Sequence, residues 1–312
     1  MASGRAENPR FGQCGNWSRS RGDPVCFCIA REQTTTQPGE ATMDGTAVDL
    51  LVPSSLVREA EDGREATRKL GYVARAATVF RADRLVVFPD GEGESDRGGE
   101  FVHTVLAYAA TPPSLRQEVW DRRAELQHVG VLPPLLPDTS GPDGAELRDG
   151  IVTEVGPEGR VRVNCGLQHP ISLRAPPDGV PDEGERVTVR VSSREPVRAK
   201  LVDDTVLSVE RADVGSITAD ADVSIAASRH GERLSVARLE TVTARLRDAD
   251  RVAVAFGAPA RGLPAIFGIE GGPVDADTRF DRWLNTVPDQ GSEVVRTEEA
   301  MFASLGALSL PP

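Results

Sequence analysis

The chain has 312 residues, with 48 acidic against 36 basic side chains and a formal charge of -12. That length suffices for a buried core and two domains. No apolar run approaches the roughly 18 residues that span a bilayer, which excludes a helical integral membrane protein.

Residues 1–45 show no apolar period and hold Cys14, Cys26 and Cys28 beside polar runs such as Ser18-Arg19-Ser20-Arg21. Arg5, Arg10, Arg19, Arg21 and Arg31 balance Glu7, Asp23, Glu32, Glu40 and Asp44, so the whole -12 falls on residues 46–312. The one-residue gap between Cys26 and Cys28, with no fourth ligand, argues against a zinc site. An apolar secretory core is missing. This stretch is expected to be a disordered extension, or to precede a natural start at Met43.

From residue 46 the pattern changes. Asp49-Leu50-Leu51-Val52 and Arg84-Leu85-Val86-Val87-Phe88 are short continuous apolar runs, as in parallel strands buried on both faces. Between them Leu70, Val73, Ala74, Ala77 and Phe80 recur at helical spacing. A second helix is predicted over 101–110, broken by Thr111-Pro112-Pro113. The loop Gly91-Glu92-Gly93-Glu94-Ser95-Asp96 fails as a dinucleotide fingerprint, because its third glycine is missing and its acids would repel a pyrophosphate.

Residues 145–205 read differently. Arg160-Val161-Arg162-Val163 and Arg186-Val187-Thr188-Val189-Arg190-Val191 alternate with period two, and Pro176-Pro177-Asp178-Gly179 and Asp182-Glu183-Gly184 supply turns. Alternation of this kind marks antiparallel strands with one wet face, as in a small barrel. Acids and bases balance here, eight against eight over 149–200, so the block is neutral within an acidic chain. Such a surface suits nucleic acid or is simply a solvated strand face. Cys165, the one cysteine after the tail, leaves no internal disulfide to form and agrees with a reducing cytoplasm.

The apolar pattern returns with Val223-Ser224-Ile225-Ala226-Ala227 and Val252-Ala253-Val254-Ala255-Phe256, around a helix marked by Val236, Leu239, Val242 and Leu246. A last helix is predicted from a Thr297 cap, with Glu298 and Glu299 in its first turn and Met301, Phe302, Leu305 and Leu308 as its buried stripe. The expected architecture is α/β over 46–144 and 206–312, interrupted by a β-barrel at 145–205. Three loops follow the apolar strands at their carboxyl ends, where open α/β sheets bind ligands: 228–231, 256–263 and 284–292. Three surface turns are the alternative to a cofactor cleft. His103, His128, His169 and His230 form no metal-ligand pair, and no metal is expected.

Phe280-Asp281-x-Trp283-Leu284-Asn285-Thr286-x-Pro288-x-Gln290-Gly291-Ser292 and Arg296-Thr297-Glu298-Glu299-Ala300 resemble the C-terminal signature of a family of RNA methyltransferases. These are the archaeal and eukaryotic members of the SPOUT superfamily that carry an inserted oligonucleotide-binding-type (OB-like) barrel. The resemblance extends to Gly71-Tyr72-Val73-Ala74-Arg75-Ala76-Ala77, Thr111-Pro112-Pro113-x-Leu115-Arg116 and Gly130-Val131-Leu132-Pro133-Pro134-Leu135. It implies a SPOUT-type α/β trefoil-knot domain, a homodimer, S-adenosyl-L-methionine as cofactor and ribosomal or transfer RNA as substrate. Cofactor contacts would fall on His230, Gly257, Gly262, Leu263, Asn285, Thr286, Pro288, Gln290, Gly291 and Ser292. Arg75 matches a catalytic arginine of some superfamily members, its alternative being a helix-surface ion pair. Glu298 is a second candidate base, its alternative being to complement the helix dipole.

Two places depart from the family pattern. Ser-Glu-Arg-Gly is Ser228-Arg229-His230-Gly231 here, and Gly-Ser-Arg-Thr is Gly291-Ser292-Glu293-Val294. The alternatives to an RNA methyltransferase are a non-catalytic RNA-binding or ribosome-assembly protein on the same scaffold, and a protein methyltransferase. Only two basic residues of the chain are lysine, Lys69 and Lys200. Acid excess with so little lysine fits a halophile, where screening shortens charge repulsion to a few ångströms; a GC-rich genome is the other reading of that composition.

Overall fold

A computed structural model describes residues 46–94, 97–140, 145–175, 179–202, 207–269 and 278–309. The extension expected at 1–45 and the turn residues 176–178 lie outside them. In chain order the strands are β1 (Ala47–Pro53), β2 (Arg84–Phe88), β3 (Glu146–Val155), β4 (Arg160–Asn164), β5 (Ile171–Arg174), β6 (Arg186–Arg194), β7 (Val197–Val202), β8 (Ser208–Arg211), β9 (Val223–Arg233), β10 (Arg251–Phe256) and β11 (Arg282–Asn285). The helices are α1 (Gly63–Val79), α2 (Gly99–Ala110), α3 (Arg116–Val119), α4 (Val214–Asp220), α5 (Val236–Arg247), α6 (Leu263–Ile266) and α7 (Thr297–Leu308). None is long and apolar enough to cross a membrane among the described residues.

Two sheets result. One is parallel throughout, in the order β11-β9-β10-β1-β2-β8, and the other antiparallel, in the order β5-β4-β3-β6-β7. The chain leaves the parallel sheet after β2, builds the antiparallel one, and re-enters at β8. The terminal strands β5 and β7 approach each other, so the antiparallel sheet curls into a nearly closed, barrel-like form around Val152, Val161, Val163, Val189 and Val191.

Burial on both faces explains the continuous apolar runs of the parallel strands. Leu50, Val52, Val254 and Phe256 pack on one side with α1, α2, α5 and α7, whereas Leu51, Val86, Ala253 and Ala255 meet α4 and α6 on the other. α1 starts where Asp62 Oδ1 accepts from the Glu65 amide at 2.7 Å, and it buries Leu70, Val73, Ala74 and Ala77 as the spacing predicts. At the amino ends of the strands Asp49 is fully buried and gripped by two guanidiniums: Arg84, at 2.6 and 2.7 Å, and Arg251, at 3.1 and 3.3 Å. One carboxylate thereby ties β1 to both of its neighbours.

Three helix expectations need correction. Val236 is 78% exposed, since α5 lies on the sheet by its Val242 and Leu246 side and Val236 only opens its first turn. Phe302 turns out of the α7 stripe, 38% exposed, and meets the Phe80 ring edge-on at 6.0 Å. Thr297 is the first helical residue of α7 rather than its cap. Arg296 is the N-cap, and its amide donates to the Glu299 carboxylate at 2.9 Å.

Candidate active site

The three loops expected at the carboxyl ends of β9, β10 and β11 come together. The first of them is not a free loop. β11 pairs Trp283 with Ala226 and then Leu284 with Glu232, so residues 227–231 bulge out of an otherwise extended β9. The chains cross so closely at that point that a Cβ on Gly231 would stand 2.5–2.6 Å from the Trp283 and Leu284 backbone. Asn285 braces the bulge from across the sheet: its amide donates to the Arg229 carbonyl at 3.0 Å, and its Oδ1 accepts from the Val287 amide at 3.1 Å.

The loop after β10 folds back on itself through mutual backbone bonds of Ala258 and Arg261, at 3.0 and 3.1 Å. A Cβ on Gly257 would meet the Gly262 Cα at 2.8 Å, so this fold requires glycine there. Ala260 takes a left-handed φ of 57°, an unfavourable conformation for a residue with a Cβ. α7 anchors the loop, because the Thr297 hydroxyl donates to the Gly257 carbonyl at 2.7 Å. A further tie runs from Thr286 to Ser304, whose hydroxyls lie 2.7 Å apart.

Between the loops lies a cleft of about 680 Å³, within the usual size of a small-molecule site. Of the residues to which the family resemblance would assign cofactor contacts, His230, Gly257, Gly262, Asn285, Thr286 and Gln290 line it. Leu263 is fully buried behind the lining, and Pro288, Gly291 and Ser292 stand off it. The Ser292 hydroxyl and the Gln290 amide instead shape the next turn, by donating to the carbonyls of Val294 and Ser292 at 2.9 and 2.8 Å. Phe256, Pro264, Ile269, Val287 and Val294 give the cleft an apolar wall. Glu92, Arg229, His230 and Glu293 supply polar lining.

Sequence reasoning passed over one constellation. Asp90, directly after β2 and only 4% exposed, accepts from the Ser55 hydroxyl at 2.6 Å and from Arg261 at 2.9–3.2 Å, while its amide donates to Ser54 Oγ at 2.8 Å. Burial alone would raise the Asp90 carboxyl, but the Arg261 and Ser55 hydrogen bonds outweigh it and hold the group below the ordinary aspartate range. Arg261 lines the cleft, so the pair locks the β10 loop to the end of β2. The available signal was position, since Asp90 stands at the carboxyl end of a parallel strand.

The two catalytic candidates lie outside the cleft lining. Arg75, half-buried on α1, forms no ion pair among the described residues; its guanidinium donates to the Leu135 carbonyl and ties down the segment after residue 132. Glu298 sits in the first turn of α7, and burial pushes its carboxyl up, opposed by the nearby Lys69 and Arg296 charges. No three metal-ligating side chains converge among the described residues.

A family described as "Putative RNA methyltransferase" matches residues 47–308, spanning both sheets and all three loops. The chain belongs to this RNA methyltransferase family. An uncharacterized protein of Halobacterium salinarum is 63% identical over 278 residues, covering 84% of this chain and 98% of that one. The mouse 28S rRNA (uridine-N(3))-methyltransferase is 30% identical over 307 residues, covering 84% of this chain and 75% of the enzyme. The human 28S rRNA (uridine-N(3))-methyltransferase is 29% identical over 305 residues, with 84% and 77% covered. As an RNA methyltransferase, the protein must place an RNA nucleotide and a methyl donor side by side.

Proposed function

We propose that this cleft binds S-adenosyl-L-methionine and that the protein methylates N3 of a uridine in large-subunit ribosomal RNA. The observation carrying the reading is the cleft itself: three loops whose close backbone crossings at Gly231 and Gly257 leave small residues and main-chain groups facing a cavity of about 680 Å³. Its hydrogen-bonding groups suit an adenine edge and a ribose: main-chain amides donate, and main-chain carbonyls, the Thr286 hydroxyl and the Gln290 Oε1 can accept. The apolar wall from Phe256 to Val294 suits an adenine face. The acceptor atom is taken from the mouse and human relatives.

When bound, S-adenosylmethionine supplies a methyl carbon made electrophilic by its sulfonium. The protein's contribution is alignment of donor and acceptor, which is worth up to roughly 7–11 kcal/mol when reacting atoms are held in line. Asn285 fixes the bulge at Arg229, and the Asp90–Arg261 pair fixes the β10 loop, so two walls of the cleft are preset before any ligand arrives. Uridine N3 carries a proton that must leave. His230 and Glu293 at the lining are groups that can accept it.

The same reading includes a C-terminal segment threaded as a trefoil knot, an OB-like barrel that grips RNA, a cytoplasmic location and a homodimer. The tie of α7 back to Gly257 supports the threading. For the dimer, Tyr72 and Val79 on α1 and Phe302 on α7 are apolar side chains left 45%, 46% and 38% exposed. A dimer through this face would carry Arg75 toward a partner's cleft, consistent with its place away from its own.

Calorimetry with S-adenosylmethionine in concentrated potassium chloride tests the cofactor. Binding that weakens about tenfold or more in Asn285→Ala supports the reading, and absence of binding overturns it. Mapping large-subunit ribosomal RNA from a deletion strain tests the acceptor. One lost N3-methyluridine is expected, whereas an unchanged map would point to an assembly role or to a protein substrate.

A further inference from the structure

Charge in the antiparallel sheet is balanced in number but not in place. β4, β5 and β7 carry Arg160, Arg162, Arg174, Arg198 and Lys200 and not one carboxylate. The acids lie at the turns, as Glu158, Asp182, Glu183, Glu185 and Glu195, or on β3, as Glu146, Asp149 and Glu154. All five cations are exposed on the outer face, because Val161, Val163, Ile171 and Leu173 fill the inner one. With β5 and β7 drawn together at the closing edge, the three strands form one basic arc.

The arc works against the sheet's own stability. Arg160 stands directly opposite Arg174, a pairing that repels across a ladder. Arg162 has Glu154 at 3.3 Å, but Arg160, Arg174, Arg198 and Lys200 make no ion pair among the described residues. A solvated face in an acidic chain has no need of facing cations. A polyanion laid across them would relieve the repulsion. The block also lacks any phenylalanine, tyrosine or tryptophan from residue 145 to 205, and its one imidazole, His169, sits in the turn between β4 and β5 rather than on the three strands, so the arc itself has no ring on which a base could stack.

We infer that the outer face of β4, β5 and β7 is a sequence-indifferent clamp on the RNA backbone, reading phosphates and leaving recognition of the target base to the cleft. The inference rests on the RNA reading above and narrows what the barrel does in it. Phosphate contacts release counterions, so each contributes a measurable share of the salt dependence of binding and none of its sequence preference.

The test uses the full chain and two fluorescent RNA hairpins of identical secondary structure and scrambled sequence, titrated over a series of potassium chloride concentrations. Arg160→Ser with Arg174→Ser, and separately Arg198→Ser with Lys200→Ser, should weaken binding of both hairpins equally, by about tenfold. Each should also lower the slope of log affinity against log salt by about two, one per lost phosphate contact. S-adenosylmethionine calorimetry on the same preparations should not change. Loss on one hairpin alone would overturn the inference, since that is base reading. So would a gain of equal size in Glu158→Gln with Glu183→Gln, since net charge would then be enough. If the wild type binds the hairpins and the double variants keep its affinity and slope, the clamp is wrong and the RNA reading survives; if the wild type binds neither, both fail.

Discussion

Asp90 and Glu298 are two partly or wholly buried carboxyls near one cleft, and their surroundings push them in opposite directions. Asp90 is held below the usual aspartate value of 3.8, so its clamp on Arg261 is fully present above that value and dissolves only as pH falls through the lower folded value. Asp90→Asn removes the charge at every pH and leaves Arg261, among the described residues, with Glu92 as its remaining ion-pair partner, 3.5 Å away and 91% exposed. Calorimetry should then show S-adenosylmethionine affinity reduced about tenfold or more relative to the wild type at every pH from 5 to 8. Losing one partner of a buried pair also costs about 3–5 kcal/mol of stability. Glu298 has the reverse sign. Burial raises its folded value above 4.5, so the folded state loses stability as pH rises from the ordinary glutamate range through that raised value. Glu298→Gln should therefore raise the melting temperature at neutral pH and leave it unchanged near pH 4. If methyl transfer disappears while the protein becomes more stable, Glu298 acts in catalysis; retained transfer leaves it a helix-terminus carboxylate.

Glycines sort the site's elements by how closely their backbones approach. Gly231 in β9 admits no Cβ, because the Trp283–Leu284 backbone of β11 lies 2.5–2.6 Å from where it would stand, whereas Gly291 has nothing within 4 Å. Gly231→Val should therefore part β11 from β9 and give a poorly folded chain by circular dichroism. Gly291→Ala should fold as the wild type does; an unchanged S-adenosylmethionine affinity would remove Gly291 from the cofactor contacts that family resemblance assigns it, and a loss would keep it there. The contrast shows what was legible at this scale. Strands buried on both faces announce themselves as apolar runs, and β1, β2, β9 and β10 all start or end near the predicted limits. A bulge has no period, so residues 228–231 look like a loop although β9 carries on to Arg233. Periodicity also says which residues share a helix face but not where that face ends. For that reason Val236 and Phe302, both on predicted stripes, are exposed. Asp90 stayed hidden because its partner Arg261 is 171 residues away, and only the parallel pairing of β10, β1 and β2 brings them together.

For the molecule as a whole, charge makes opposite demands on folding and on RNA binding. A surplus of twelve carboxylates repels itself at low ionic strength, and exposed ion pairs such as Arg233–Asp289 recover little of that cost, since pairs this open are typically worth about 0–1 kcal/mol. Shortening the Debye length from about 10 Å at 0.1 M salt to about 3 Å at 1 M removes most of the repulsion. The melting temperature should therefore climb between 0.1 and about 1 M potassium chloride and change little beyond, by differential scanning calorimetry. The same salt competes with every arginine–phosphate contact, so affinity for an RNA hairpin should fall over that interval while the fold grows firmer. The two curves cross-check each other. Replacing exposed acids of the parallel-sheet region, such as Glu61 and Glu240, by glutamine should flatten the stability curve and leave the salt slope of RNA binding alone. If stability instead falls with salt, the fold depends more on attraction between unlike charges than on relief of repulsion among its surplus carboxylates.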